Sequence, residues 1–247
     1  MSLHVVDQDG GGPLVVLVHG SMDRATSFGR VIKLLGDLHV IAYDRYGYGK
    51  SLAHPPHTTL DAHAADLLAV MDGRRGAVVG HSYGGDVALL AAIERPEVIT
   101  AVGAFEAPMP WAPWWPASSA GGAAMAAPSP EDAAEAFMLR VVGERVWTRL
   151  PRATREARRA EGATLVTEME SIRSDAPFDP SQVRVPVVCG YGSVTEDRHR
   201  TSTTELAAAV PDGELMIIEG AAHGAHLSHP RDFADFVRRV VARGGPS

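Results

Sequence analysis

Short apolar runs and helix-spaced apolar positions alternate along most of this chain. Leu14-Val15-Val16-Leu17-Val18 is five apolar residues in succession, mostly β-branched, as in a central parallel strand covered on both faces. Further runs at Leu3 to Val6, His39 to Tyr43, Ala77 to Val79, Ile99 to Phe105, Val185 to Cys189 and Leu215 to Ile218 predict six more strands. Between them the apolar period lengthens. Phe28, Val31, Ile32, Leu34 and Leu35 predict a helix stopped by Gly36, and Leu60 to Met71 predicts one that buries Leu67, Leu68 and Met71. Helices are also expected from Gly85 to Arg95, from about Thr203 to Val210 and from Pro230 to Arg243. Strands alternating with helices predict an α/β fold with a mostly parallel central sheet and helices on both faces.

Residues 107 to 178 break this rhythm. Pro108, Pro110, Pro113 and Pro116 interleave with Trp111, Trp114 and Trp115; a small-residue loop from Ser118 to Pro130 follows, then helical stretches from Pro130 to Ser174. We read residues 1–106 and 179–247 as the α/β core and 107–178 as an inserted helical cap. It leaves the sheet at the carboxyl ends of the strands, where ligands bind in such folds.

Composition narrows the class. The 247 residues are 45% hydrophobic and 21% charged with a net charge of −7, which suits one globular domain and argues against a nucleic-acid partner. The lone Cys189 forms no internal disulfide and fits a reducing compartment. Met1-Ser2-Leu3-His4 lacks a signal-peptide pattern, and no run approaches the roughly 20 apolar residues of a membrane helix. The expectation is a cytoplasmic monomer or homodimer acting on a small-molecule substrate, without a membrane partner.

The chemistry centres on Gly80-His81-Ser82-Tyr83-Gly84-Gly85, a Gly-x-Ser-x-Gly turn between a buried strand and a helix. Small residues let the two arms approach, and the strained apex lifts the Ser82 hydroxyl out of the sheet. A serine needs a base, and His223, in the loop after the last strand, is the best placed. His226 and His229 follow at steps of three, but no carboxylate or cysteine pattern completes a metal site. They are expected at a helix entry or the surface, and neither metal nor cofactor is predicted. Asp86 suits the first turn of its helix by charge. Arg149, Arg152, Arg155, Arg158 and Arg159 read as a solvated helical face.

With these motifs the chain resembles an α/β-hydrolase. His19-Gly20-Ser21 is similar to that family's oxyanion loop, Asp44-Arg45-Tyr46-Gly47-Tyr48-Gly49-Lys50-Ser51 to its Asp-x-x-Gly-x-Gly-x-Ser loop, and the Ser82 and His223 segments to its elbow and catalytic histidine. The resemblance spans Leu14 to Arg243 apart from the insertion. It implies Ser82 as nucleophile, His223 as base, and the amides of Ser21 and Tyr83 as the oxyanion hole. Asp44 and Arg45 are expected to hold their loop. Dehalogenases and epoxide hydrolases of this fold carry an aspartate at the elbow, so Ser82 places this chain with the serine members.

The triad acid departs from the family pattern. Relatives place an aspartate three residues beyond the glycine that ends the penultimate core strand; counted from Gly190, that position holds Ser193. The favoured substitute is Glu106, directly after the strand beside the elbow strand, an arrangement similar to that of certain haloalkane dehalogenases. Glu196 or Asp197, further along the Gly190 loop, are the alternatives. Trp111, Trp114 and Trp115, with Met22 beside the oxyanion loop, are assigned to the substrate pocket. The leading function is a cofactor-independent serine hydrolase of a small, largely apolar ester, thioester or lactone. A carbon–carbon bond hydrolase or lyase with the same triad, and a non-catalytic ligand-binding module, are the alternatives.

Overall fold

The protein was described from a computed structural model covering residues 3–52, 59–173 and 175–245. Seven strands form one sheet: β1 (Val5–Asp9), β2 (Leu14–Val18), β3 (His39–Tyr43), β4 (Gly76–His81), β5 (Ile99–Phe105), β6 (Val187–Gly192) and β7 (Gly213–Ile218). Their order is β1-β3-β2-β4-β5-β6-β7; β1 runs antiparallel to β3, and every other neighbouring pair is parallel. The all-apolar β2 lies inside the sheet with each residue buried. Its pleat sends alternate side chains to opposite layers. Val16 and Val18 join one core with Leu67 and Val87, while Val15 and Leu17 join the other with Phe28, Phe233 and Val237. Burying each such side chain contributes about 1.5–3 kcal/mol.

Three helices belong to the first half of the chain: α1 (Gly29–Ile32), α2 (Leu60–Met71) and α3 (Tyr83–Glu94). The expected helix through Leu35 shrinks to α1, preceded by a 3-10 turn over Ala25–Phe28, and its tail continues as tight turns. In α2, Leu67 and Met71 are buried and Leu68 is half-buried.

Between β5 and β6 lie five helices: α4 (Ala120–Met125), α5 (Pro130–Val142), α6 (Glu144–Arg149), α7 (Arg152–Arg159) and α8 (Gly162–Ser171). α4 interrupts the expected small-residue loop. Ser119 caps it by accepting from the Gly122 amide at 3.1 Å, a local signal strong enough to start a helix in a glycine-rich stretch. The chain finishes with α9 (Asp197–Ala209), α10 (Ala225–Ser228) and α11 (Pro230–Arg243). α9 starts six residues before the expected position. Its first half is polar but buries His199 and Ser202, so hydrophobic periodicity does not reveal it. β6 starts after Pro186, which has no amide to donate, and continues past Cys189 to Gly192 because β7 pairs with it throughout. Among the described residues no helix is long and apolar enough to cross a membrane.

Candidate active site

Strand register brings the site together. His81 pairs with Phe105 and Phe105 pairs with Gly190, so β4 and β5 end at the same level. Ser82 and Glu106 are the next residues on adjacent strands, and both adopt a left-handed backbone (φ 53° and 50°), a conformation that side-chain-bearing residues keep only where surrounding contacts impose it. The Ser82 amide donates to the Phe105 carbonyl at 2.8 Å, and the Ser82 carbonyl accepts from the Gly85 amide at 2.7 Å. The turn tolerates no bulk: a Cβ on Gly80 would lie 2.0 Å from the Gly84 carbonyl oxygen. Ser82 thus stands at the entry to α3 beside helix-end amides that have no intrahelical acceptor. Asp86 stands in that first helical turn, as expected, and it is buried there; burial pushes its carboxyl well above the ordinary range.

His223 follows β7, on a loop stapled from β6. The Gly220 amide donates to Ser193 Oγ at 2.8 Å, and the Val194 amide donates to the Ala221 carbonyl at 3.0 Å. This is what the serine at the usual acid position does. The His223 Nδ1–H donates to Glu106 Oε2 at 2.6 Å. Glu106 is fully buried and also accepts from the Gly192 amide and the Thr195 hydroxyl, each at 2.9 Å. Extending β6 to Gly192 supplies the first of these donors. The alternative acids lie elsewhere. Glu196 borders the cavity but its carboxylate is turned to Arg198, and the Asp197 side chain is 94% exposed, 3.9 Å from Arg200.

Two further imidazoles flank His223: His199 stacks at 4.3 Å and His81 sits at 4.6 Å. The His81 Nε2–H donates to the His223 carbonyl at 2.7 Å. A carbonyl only accepts, so His81 carries its proton on Nε2. Burial, and then the neighbouring His226 and His223, hold His81 well below the ordinary histidine value; burial and His223 do the same to His199. Both flanking rings are therefore neutral.

The loop after β2 is fixed from below and above. The His19 Nε2 accepts from the Arg45 amide at 2.8 Å, and the Arg45 Nε–H donates to the His19 carbonyl at 2.9 Å. Gly20 packs against the nucleophile turn so closely that a Cβ there would lie 2.9 Å from Ser82 Cβ. The Ser21 hydroxyl donates to Glu168 Oε2 at 2.7 Å, and the Met22 carbonyl accepts from Arg158 at 2.8 Å. Glu168 lies on α8, is fully buried, and also binds Arg45 at 2.5 Å, the Tyr48 hydroxyl at 2.8 Å and His63 at 3.1 Å. Burial alone would raise its carboxyl; the Arg45 charge and the His63 and Arg45 hydrogen bonds outweigh that and hold it well below the ordinary range. Nothing in the local pattern around Glu168 announces this role.

A cavity of about 360 Å³ opens over Ser82, Tyr83 and His223, with Ser21, Met22 and Trp115 on its walls. Trp111 and Trp114 do not line it, contrary to expectation. Trp111 packs edge-on against Phe178, and the Trp114 indole N–H donates to Glu205 at 3.1 Å. The arginine run is not one solvated face either: Arg158 reaches the cavity, while Arg159 pairs with Asp132 and Glu135. His226 is buried, because α10 turns it onto Phe28 and His81, and its Nε2 lies 3.2 Å from Asp23. The three loop histidines do not converge as one set. Among the described residues, two groups bring donor atoms within 4.8 Å of one another, Asp23 with His81 and His226, and Glu106 with His199 and His223. In each, the carboxylate already holds a histidine.

The family model of the alpha/beta hydrolase family matches residues 15–236. The chain belongs to the alpha/beta hydrolase family. Among relatives, it is 34% identical over 106 residues to the lipase LipV of Mycobacterium tuberculosis, a match covering 41% of this chain and 40% of the lipase. It is 27% identical over 258 residues to the polyketide synthase ThaQ of Burkholderia thailandensis, covering 91% of this chain and 11% of the synthase. The chain spans less than half the length of these curated relatives. The enol-lactonase of Burkholderia xenovorans superposes with a TM-score of 0.75 at 20% identity, covering 97% of this hydrolase-family chain and 96% of the lactonase. That likeness shows the fold.

Proposed function

We propose that this family member is a serine hydrolase that cleaves a small, largely apolar carboxylic ester, thioester or lactone through an acyl-enzyme. The observation that carries the reading is the 2.6 Å contact between His223 Nδ1 and the fully buried Glu106, on the cavity that also exposes Ser82. With its Nδ1 proton committed to Glu106, neutral His223 presents the Nε2 lone pair as base. It takes the Ser82 proton as Oγ attacks the acyl carbon. The oxyanion is met by the amides of Tyr83 and Ser21. His223 then returns the proton to the departing alcohol, thiol or ring oxygen, and water releases the acid by the same steps in reverse order. Glu106 stabilises the imidazolium in both halves. A lipase and an enol-lactonase among the similar proteins support ester or lactone chemistry.

The test is hydrolysis of p-nitrophenyl esters of increasing acyl length together with fluorophosphonate labelling. Ser82→Ala should lower kcat by roughly 10⁴–10⁶-fold and abolish the label. Labelling that survives Ser82→Ala, or never appears in the unmodified protein, refutes the covalent route.

A further inference from the structure

The cavity over Ser82 has four arginines on its boundary, Arg140, Arg158, Arg173 and Arg198, and two carboxylates, Asp23 and Glu196. The local partners can be assigned one by one. Arg198 is held by Glu196 and lies over the Trp115 ring at 6.0 Å. Arg158 is held by the Met22 carbonyl at 2.8 Å and by Glu161 at 3.5 Å. Asp23 faces His226. Arg140 and Arg173 are left over.

Arg140 is exposed at the cavity rim, so its charge stays in contact with solvent and is not desolvated. Arg173 is different. It is half-buried just beyond α8, its Nε is shut off from solvent, and among the described residues its guanidinium makes no hydrogen bond or ion pair. Its Nη2 reaches the wall near Gly121, where an added Cβ would lie 3.4 Å away. Met169 and Ile172, from the same turn of chain, are apolar and line the same cavity, as does Phe137 of α5. Burial without a carboxylate neighbour pulls the guanidinium below its ordinary value. A desolvated cation with no counter-ion is costly, and guanidinium presents a planar fork that matches carboxylate geometry.

We propose that Arg173 is an anion subsite: the substrate carries a second, free carboxylate, separated from its scissile carbonyl by an apolar spacer. This rests on the serine-hydrolase reading and narrows its substrate class to half-esters, and the matching lactones and thioesters, of carboxylate-bearing acids or alcohols. The spacer lies along Met169, Ile172 and Phe137. One unpaired, half-buried cation matches one negative charge, so a monoanionic carboxylate fits better than a phosphate dianion. In turnover the half-ester takes up water and yields the free alcohol and a dicarboxylate, or a hydroxy acid and a simple acid; Arg173 binds throughout and exchanges no proton.

Two arms locate the charge. In the acyl arm, mono-p-nitrophenyl esters of linear dicarboxylic acids of increasing length are compared with their methyl-capped counterparts. In the alcohol arm, acetyl esters of ω-hydroxy acids are compared with the corresponding methyl esters. We expect a charged-over-neutral preference in kcat/KM of about tenfold at one spacer length in one arm. It should fall to within about twofold in Arg173→Ala and be partly retained in Arg173→Lys. A ω-phosphonate series should be the poorer ligand. No charged preference at any length in either arm overturns the proposal. So does a preference that survives Arg173→Ala, or one that depends on Arg140→Ala instead. Should Arg173→Ala fold poorly by circular dichroism, Arg173→Gln replaces it with the same expected loss.

Failure of the parent reading looks different: no ester is hydrolysed and no fluorophosphonate label forms. The subsite is then read by calorimetry on Ser82→Ala protein. There monomethyl suberate should bind about tenfold more tightly than dimethyl suberate, and the added Arg173→Ala change should erase the difference. Equal binding of the two esters overturns the subsite whatever the chemistry at Ser82.

Discussion

Two glutamates are fully buried on either side of the nucleophile turn, and their surroundings are opposites. Glu168 meets a permanent cation, Arg45 at 2.5 Å, with Tyr48, Ser21 and His63 filling its remaining lone pairs. Glu106 accepts from an amide, a hydroxyl and the His223 imidazole, with the His199 ring Nδ1 a further contact at 3.9 Å. The first carboxylate is neutralised once and for all, so its pair can only hold structure. The second is solvated by neutral dipoles, and the cation it lacks is one that His223 can supply transiently. Charge balance at rest therefore separates a fastening carboxylate from a reactive one, although burial and chain chemistry are the same.

The sharpest way to break this comparison is to remove each charge while keeping its shape. Glu106→Gln should lower kcat by about 10²–10⁴-fold and leave the melting temperature nearly in place, measured by steady-state kinetics and calorimetry. A nearly silent Glu106→Gln with a damaging Glu196→Gln or Asp197→Asn would reverse the assignment of the acid.

Glu168→Gln should behave the other way round. It leaves Arg45 buried without its counter-charge, a loss of about 3–5 kcal/mol or roughly 10 °C in melting temperature. Any fall in kcat should be traceable to the loosened Ser21. If Glu168→Gln melts like the parent protein, the pair carries no structural load and the contrast fails.

Acidification sharpens the comparison further. Burial, and secondarily Arg45, lowers His19 to about 4, and burial also lowers His81 and His199. Between about 6.5 and 4 the unfolded chain binds protons that these folded rings refuse, so stability falls as pH drops through that window. Glu168, held below its ordinary value, contributes stability above about 4.3 and loses it only as pH falls further, through its folded value. Asp86 and Glu161, whose carboxyls burial raises, gain stability over the same range and offset part of this loss. From pH 7 to 5 the melting temperature should still fall by on the order of 5 °C, with the slope persisting in Glu168→Gln. A slope that vanishes in Glu168→Gln would assign the acid sensitivity to the wrong group.

The smallest effects concern the tryptophans. Trp115→Ala, on the cavity wall, should shift acyl-length preference by a few fold with little loss of stability. Trp111→Ala, packed on Phe178, should cost about 1–3 kcal/mol and leave the preference alone. A shift in preference from Trp111→Ala alone would mean that the wall lies elsewhere.

How far the sequence exposes this arrangement depends on the range of the forces involved. The Ser82 turn is imposed locally by Gly80 and Gly84, and Glu106 is marked by standing at the end of an apolar strand where a carboxylate needs a partner. Both are legible from neighbours in the chain. Glu168 is not: it sits between Leu165 and Met169 on an amphipathic helix, and its partner Arg45 is 123 residues away. The polar start of α9 hides Thr195 and His199 for a related reason, since those residues bury polar surface against Glu106 and His223 and leave no apolar period. Trp111, Trp114 and Trp115 look equivalent in a run of prolines, and only the turn directions between them decide that one faces the cavity.

The double fastening of the His19–Met22 loop bears on how freely this scaffold can be recombined. Ser21 and Met22 are each tied to a residue from the stretch between β5 and β6, one through the Glu168 carboxylate and one through the Arg158 side chain. Transplanting that stretch from another protein would import a new pocket roof and, in the same cut, strip the floor of its braces and leave Arg45 without its counter-ion. The exchangeable module therefore has boundaries that follow side-chain pairing rather than the chain: a graft has to carry glutamate and arginine equivalents, or the recipient loop has to be redesigned with it.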